Sequence, residues 1–156
     1  MVAPYRKRGA GPADLEAVPE NMVGELLSGE LWARPRPAAP HVVAASSLGT
    51  KLGAPFQFGD GGPGGWWILH EPELHLGPDV LVPDLAGWRR ERMPEPPETG
   101  AFTLGPDWIC EVLSPSTAAY DAGEKLGLVK YVDTFARAMG VDDADPHTIY
   151  IERPDD

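Results

Sequence analysis

The run Trp108-Ile-Cys-Glu-Val-Leu113 is of strand length and apolar except for one acid, and it sets the strongest condition on any fold this chain adopts. So apolar a strand belongs inside a domain, where an ionised carboxylate with no partner costs several kcal/mol. Glu111 therefore calls either for a lysine, in a structural ion pair, or for a metal ion, which needs a second carboxylate nearby.

Asp84 is the candidate for that second acid. It closes the apolar stretch Asp79-Val-Leu-Val-Pro-Asp84, and its distance from Glu111 in sequence suits two neighbouring strands joined by a long loop. Read alone, Pro83-Asp84 is a turn or cap. Lys125 follows Asp121 at helical spacing, so the two either form an exposed ion pair or, if their helix packs back over the strand, bring an ammonium group to the acids. The histidines at 41, 70, 75 and 147 lack the spacings of a zinc-protease site, and His41 reads either as a cap or surface residue or as one facing the site. Ser114 and Ser116 have no Gly-x-Ser-x-Gly context and read as cap residues.

The rest of the chain fits one domain. With 42% hydrophobic and 24% charged residues, 156 residues suffice for a single core. The 18 glycines and 18 prolines shorten regular elements and predict a loop-rich architecture. Cys110 is the single cysteine, which rules out an intrachain disulfide or a cysteine-built zinc site and points to a reducing cytoplasm. The basic start lacks the apolar run of a secretion signal, and no stretch is long and apolar enough to span a membrane. A formal charge of −11 argues against nucleic-acid binding by bulk electrostatics. The basic clusters Arg6-Lys7-Arg8, Arg34/Arg36 and Arg89-Arg90/Arg92 are then either solvated loop ends or a local basic rim.

Residues 1–20 are read as a flexible N-terminal segment, with a short helix opening between Asp14 and Met22. A hairpin over Gly24 to Arg34 turns at Ser28-Gly29. His41 to Gly53 has helical spacing, with Val42, Ala45, Leu48 and Leu52 expected to face the core and Gly53 to close the helix. The glycine-rich stretch from Gly59 to Gly65 does not match a phosphate loop and is given no phosphate role. Strands are expected from Trp66 toward Pro72 and from Asp79 to Gly87, the second interrupted at Pro83 by a bulge or an end of regular pairing. Ser116 or Thr117 would cap a helix over 118–139.

In order, the segments Glu25-Leu-Leu-Ser-Gly-Glu-Leu31, Val80-Leu-Val-Pro-Asp84-Leu, Asp107-Trp-Ile-Cys-Glu111-Val-Leu-Ser-Pro-Ser-Thr117 and Asp121-x-x-x-Lys125 resemble the Uma-two family of restriction endonucleases, within the PD-(D/E)XK nuclease superfamily. The resemblance spans residues 20 to 130. It implies an α/β (α+β) fold, a restriction-endonuclease-like mixed sheet flanked by helices. It also implies that Asp84 and Glu111 bind Mg²⁺ or Mn²⁺, with Glu71 as an accessory ligand, and that DNA is the substrate.

Two positions after the glutamate, where the superfamily carries lysine, this chain has Leu113, and the resemblance assigns that role to Lys125. Beyond Lys125 the family's Gly-Val-x-x-Tyr-Trp strand is replaced by Gly140-Val-Asp-Asp-Ala-Asp-Pro146, so the C-terminal part of the 21–156 domain is expected to be diverged or truncated. An edge left open there favours a homodimer that covers it. The expectation is thus a metal-dependent DNA endonuclease with Asp84, Glu111 and Lys125 as its catalytic residues. Its rival is a nuclease-fold binding or interaction protein of little or no activity.

Overall fold

A computed structural model describes residues 3–112 and 149–152. The chain begins with strand β1 (Tyr5–Arg8) and helix α1 (Pro12–Glu16), followed by β2 (Met22–Leu27) and β3 (Glu30–Pro35). Helix α2 (Ala39–Leu52) runs into a π-helical turn at Gly53–Phe58. Next come β4 (Trp66–His70), β5 (Glu73–Leu76), β6 (Asp79–Leu81), β7 (Leu85–Arg89), β8 (Ala101–Phe102), β9 (Trp108–Val112) and β10 (Ile149–Glu152). The expected helix over 118–139 lies outside the described residues.

The strands form two sheets, one in the order β1-β3-β2-β6-β5-β8 and the other β10-β9-β7-β4. Among the described residues pairing is antiparallel except between β5 and β8 and helices are few; the fold is mixed α/β with multi-stranded sheets.

The expected hairpin is β2-β3, with Leu27 facing Glu30 across Ser28-Gly29. Both turn residues have positive φ, 52° and 75°, which the right-handed twist of a two-residue hairpin favours and which glycine adopts without a Cβ clash. Tyr5–Arg8, within the stretch expected to be flexible, is a strand paired with β3. Its basic side chains are matched by acids: Arg6 and Arg8 pair with Glu30, and Lys7 with Asp14.

Two apolar clusters hold the layers. Leu27, Leu74 and Leu81 of the six-stranded sheet meet Ala86, Trp88 and Ile109 of the four-stranded sheet. On the other face of the four-stranded sheet, Leu52 packs with Ile68, Leu85, Trp108 and Cys110. β7 and β9 thus bury both faces, which explains why β9 reads as a continuous apolar run. Gly87 lies opposite Trp108, and the indole crosses the space a Cβ would occupy, 2.0 Å from its Nε1.

One expectation is corrected. The inward face of α2 carries His41, Ala45, Leu48, Gly49 and Leu52, whereas Val42 is 48% exposed. The apolar spacing admitted two faces, and the sheet took the one whose Gly49 accommodates the His70 ring at the contact. The α-helix ends at Leu52 with Gly53 as its cap, as expected, but Gly53 stays right-handed, so the chain continues as the π-helical turn to Phe58 and turns left-handed at Gly59, where φ is 76°. On the side away from β7, β9 pairs with β10, from Ile149 facing Val112 to Glu152 facing Ile109.

Candidate functional site

The stretch Asp79 to Gly87 is two strands in two different sheets. β6 ends at Leu81 in the larger sheet and β7 begins at Leu85 in the smaller one. Val82-Pro83-Asp84 carries the chain between them. Pro83 has no N–H to offer a ladder and a fixed φ, so regular pairing stops there.

The first residue after the proline is Asp84, which is 4% exposed. Its Oδ2 accepts the Val112 N–H at 2.7 Å, and its Oδ1 lies 2.8 Å from His41 Nε2 at the start of α2. Hydrogen bonds to an ionised carboxylate contribute about 1.5–3 kcal/mol each, so both the strand and the helix fix the orientation of this acid.

Register sets Asp84 beside the other acids. Leu85 faces Cys110, so one step back along the ladder Asp84 adjoins Glu111. His70 faces Leu85, so Glu71 adjoins Asp84 on its other side, where the Glu71 N–H donates to the Asp84 carbonyl oxygen at 3.1 Å. Glu71, Asp84 and Glu111 therefore form one row across three strands. Glu111 is fully buried. It alternates with Cys110 and shares its strand face with Ile109, toward the larger sheet. Burial pushes the Cys110 thiol well above its ordinary pKa, and the charges of Glu111 and then Asp84 push it further. The two acids thus lie together where β7 begins and β9 ends.

The predicted residues fare differently. Asp84 and Glu111 are brought together. Glu71 lies next to Asp84 through its backbone, but it is exposed and held at φ 45°, a left-handed conformation that is strained for a glutamate. Among the described residues, no three His, Cys, Asp or Glu side chains are grouped so as to hold a metal ion between them. Lys125, Asp121, Ser114, Ser116 and His147 lie outside the described residues.

Sequence reasoning gave too little weight to His41 and missed Glu25 and Arg34. Glu25, 1% exposed, accepts the Val82 N–H at 2.8 Å, and Arg34 Nη2 lies 3.7 Å from its Oε2. The signal was present in the sequence: Glu25 interrupts the apolar run Met22–Leu27 just as Glu111 interrupts its own.

The basic clusters are largely engaged within the chain. Arg92 pairs with Asp107 at 2.9 Å. Arg90 stacks 4.1 Å over Trp67 and bonds the carbonyls of Trp66 and Gln57.

Residues 13–128 match the family model Uma2, described as "Putative restriction endonuclease". No protein of curated function gives a significant match. Among solved structures, the chain is similar to a crystal structure from Anabaena variabilis described as a "putative nuclease belonging to DUF820", with a TM-score of 0.56 at 20% identity. That likeness is one of fold; it covers 67% of this chain and 57% of the other, so this chain spans little more than half of that protein's length.

Proposed function

The chain belongs to the Uma2 family, and from that premise we propose that it is a metal-dependent DNA endonuclease whose site is centred on Asp84 and Glu111. The observation that carries this reading is the pair of buried carboxylates adjoining on β7 and β9. The donor set fits Mg²⁺ or Mn²⁺. Both are hard cations that take oxygen ligands, and Mg²⁺ commonly uses one or two carboxylates, with water and substrate phosphate completing its shell. A site lacking three grouped protein ligands is compatible with that chemistry.

Asp84 and Glu111 would hold the ion, with Glu71, whose backbone adjoins Asp84, as an accessory ligand by the family resemblance. When bound, the ion supplies a water of lowered pKa and neutralises charge on the phosphate. His41 and the Val112 N–H keep the Asp84 carboxylate from rotating. Lys125, by the family resemblance, would offset charge that develops on the phosphate in the transition state.

The test is plasmid nicking in Mn²⁺ with Asp84→Asn and Glu111→Gln, isosteric changes that keep the packing. Both should abolish cleavage, and wild-type rates in either variant would remove that residue from the site. A second reading, a nuclease-fold protein that binds without cleaving, draws support from the charge of −11 and the internally paired arginines. Salt-dependent DNA binding measured with and without Mg²⁺ separates the two.

A further inference from the structure

The crossover that delivers Asp84 belongs to neither ladder. β6 pairs with β5 only through Leu81 and β7 begins at Leu85, so the peptide groups of Val82 must find partners elsewhere. They find them on the first hairpin. Glu25 Oε1 accepts the Val82 N–H at 2.8 Å, and Arg34 Nη2 donates to the Val82 carbonyl at 3.5 Å.

The same arginine nitrogen lies 3.7 Å from Glu25 Oε2, with side-chain exposures of 15% for Arg34 and 1% for Glu25. Glu25 faces Trp32 and Val23 faces Arg34 across β2-β3, so acid and base are diagonal neighbours on one face of the hairpin. Leu27 and Trp32 on that face pack into the cluster between the sheets. The direct backbone link between β2 and β6 is slight, the single aligned pair Leu26 and Val80. The Glu25 and Arg34 side chains tie the hairpin to the crossover.

We infer that Glu25, steadied by Arg34, is a positioning residue for Asp84, an inference that rests on the proposed metal site. Its means is mechanical. Only Pro83 separates Val82 from Asp84, and the proline ring fixes one of the few dihedrals between them, so holding the Val82 peptide fixes where the Asp84 backbone emerges. His41 and Val112 then set the carboxylate's orientation. A buried ion pair is in general no more stabilising than apolar residues of similar size, so stability alone gives little reason to place one here. Delivery of an acid to a fixed point does.

The test compares two double variants that both remove the buried charges. Glu25→Gln with Arg34→Met keeps an oxygen that accepts the Val82 N–H, whereas Glu25→Leu with Arg34→Met does not. Removing acid and base together leaves no uncompensated charge, so both should fold, as checked by urea unfolding. The first readout is metal-free: the ¹⁵N signals of the His41 ring, assigned by His41→Ala, report whether Asp84 still sits against Nε2. The second is Mn²⁺ affinity from the electron-spin signal of the free ion.

The Gln/Met protein should keep the wild-type ring signals and bind Mn²⁺ nearly as tightly as wild type. The folded Leu/Met protein should lose those ring signals and bind Mn²⁺ about 10–100-fold more weakly, the usual effect of removing support behind a ligand. Identical wild-type His41 signals in both folded variants would overturn the inference. If the wild type binds no Mn²⁺, the metal site fails instead, and the ring signals still decide the role of Glu25.

Discussion

Gly87→Ala tests the packing that brings β9, and with it Glu111, against β7. The added Cβ would lie 2.0 Å from Trp108 Nε1, 2.3 Å from Cε2 and 2.7 Å from Cζ2. Ordinary contact needs well over 3 Å, so something must move by more than about 1 Å. If the indole swings out, its burial is lost; Trp108 is 5% exposed, and at roughly 25 cal/mol per Å² over about 200 Å² that costs on the order of 5 kcal/mol. If the indole stays and the strands part, the cost is that of overpacking, about 1–3 kcal/mol. The cheaper route wins. Replacing glycine also stiffens the unfolded chain, which returns about 0.4–1 kcal/mol. The expected net loss is about 1–2 kcal/mol, read as a lower urea midpoint with unchanged slope. With Trp108 replaced by leucine, the same glycine substitution should cost little, because the two residues act through one contact. A wild-type midpoint for Gly87→Ala, or an equal loss in both backgrounds, would refute the reasoning.

Other consequences follow from the same site. His41→Ala removes one partner of the Asp84 carboxylate; since the His41 side chain is 10% exposed, water replaces it in part and the expected loss is about 1–2 kcal/mol, measured by urea unfolding without metal. Cys110 is buried and its pKa is raised, so its neutral thiol should resist alkylation through pH 8–9 in native protein and react fully in denaturant; rapid native labelling would show β9 to be open.

Much of the site was readable because both acids violate the apolar pattern around them. Glu111 in its strand and Asp84 after Pro83 pointed to one another, and the register of β7 and β9 sets them side by side. The β2-β3 turn was readable because Ser28-Gly29 is a local signal. What could not be read depends on distant contacts. Pro83 showed that pairing stops, but a proline does not say that the next strand joins another sheet. Val42 and His41 both fit a helical stripe, and the face that turns inward is set by contacts distant in sequence, Gly49 against His70 and His41 against Asp84. β5 and β8 are short, four and two residues, and their pairing follows from the rest of the larger sheet. Glu25 carried the same anomaly as Glu111, but its partner is the crossover peptide, which no spacing rule reveals.

The central claim is that Asp84 and Glu111 jointly hold a divalent ion. Calorimetric titration of Mn²⁺ into wild type, Asp84→Asn and Glu111→Gln, each shown to be folded by its unfolding curve, tests it most directly. The account predicts one saturable site in the wild type that each substitution removes or weakens at least tenfold. Mn²⁺ binding of wild-type strength in both variants, or none in the wild type at millimolar metal, would contradict it.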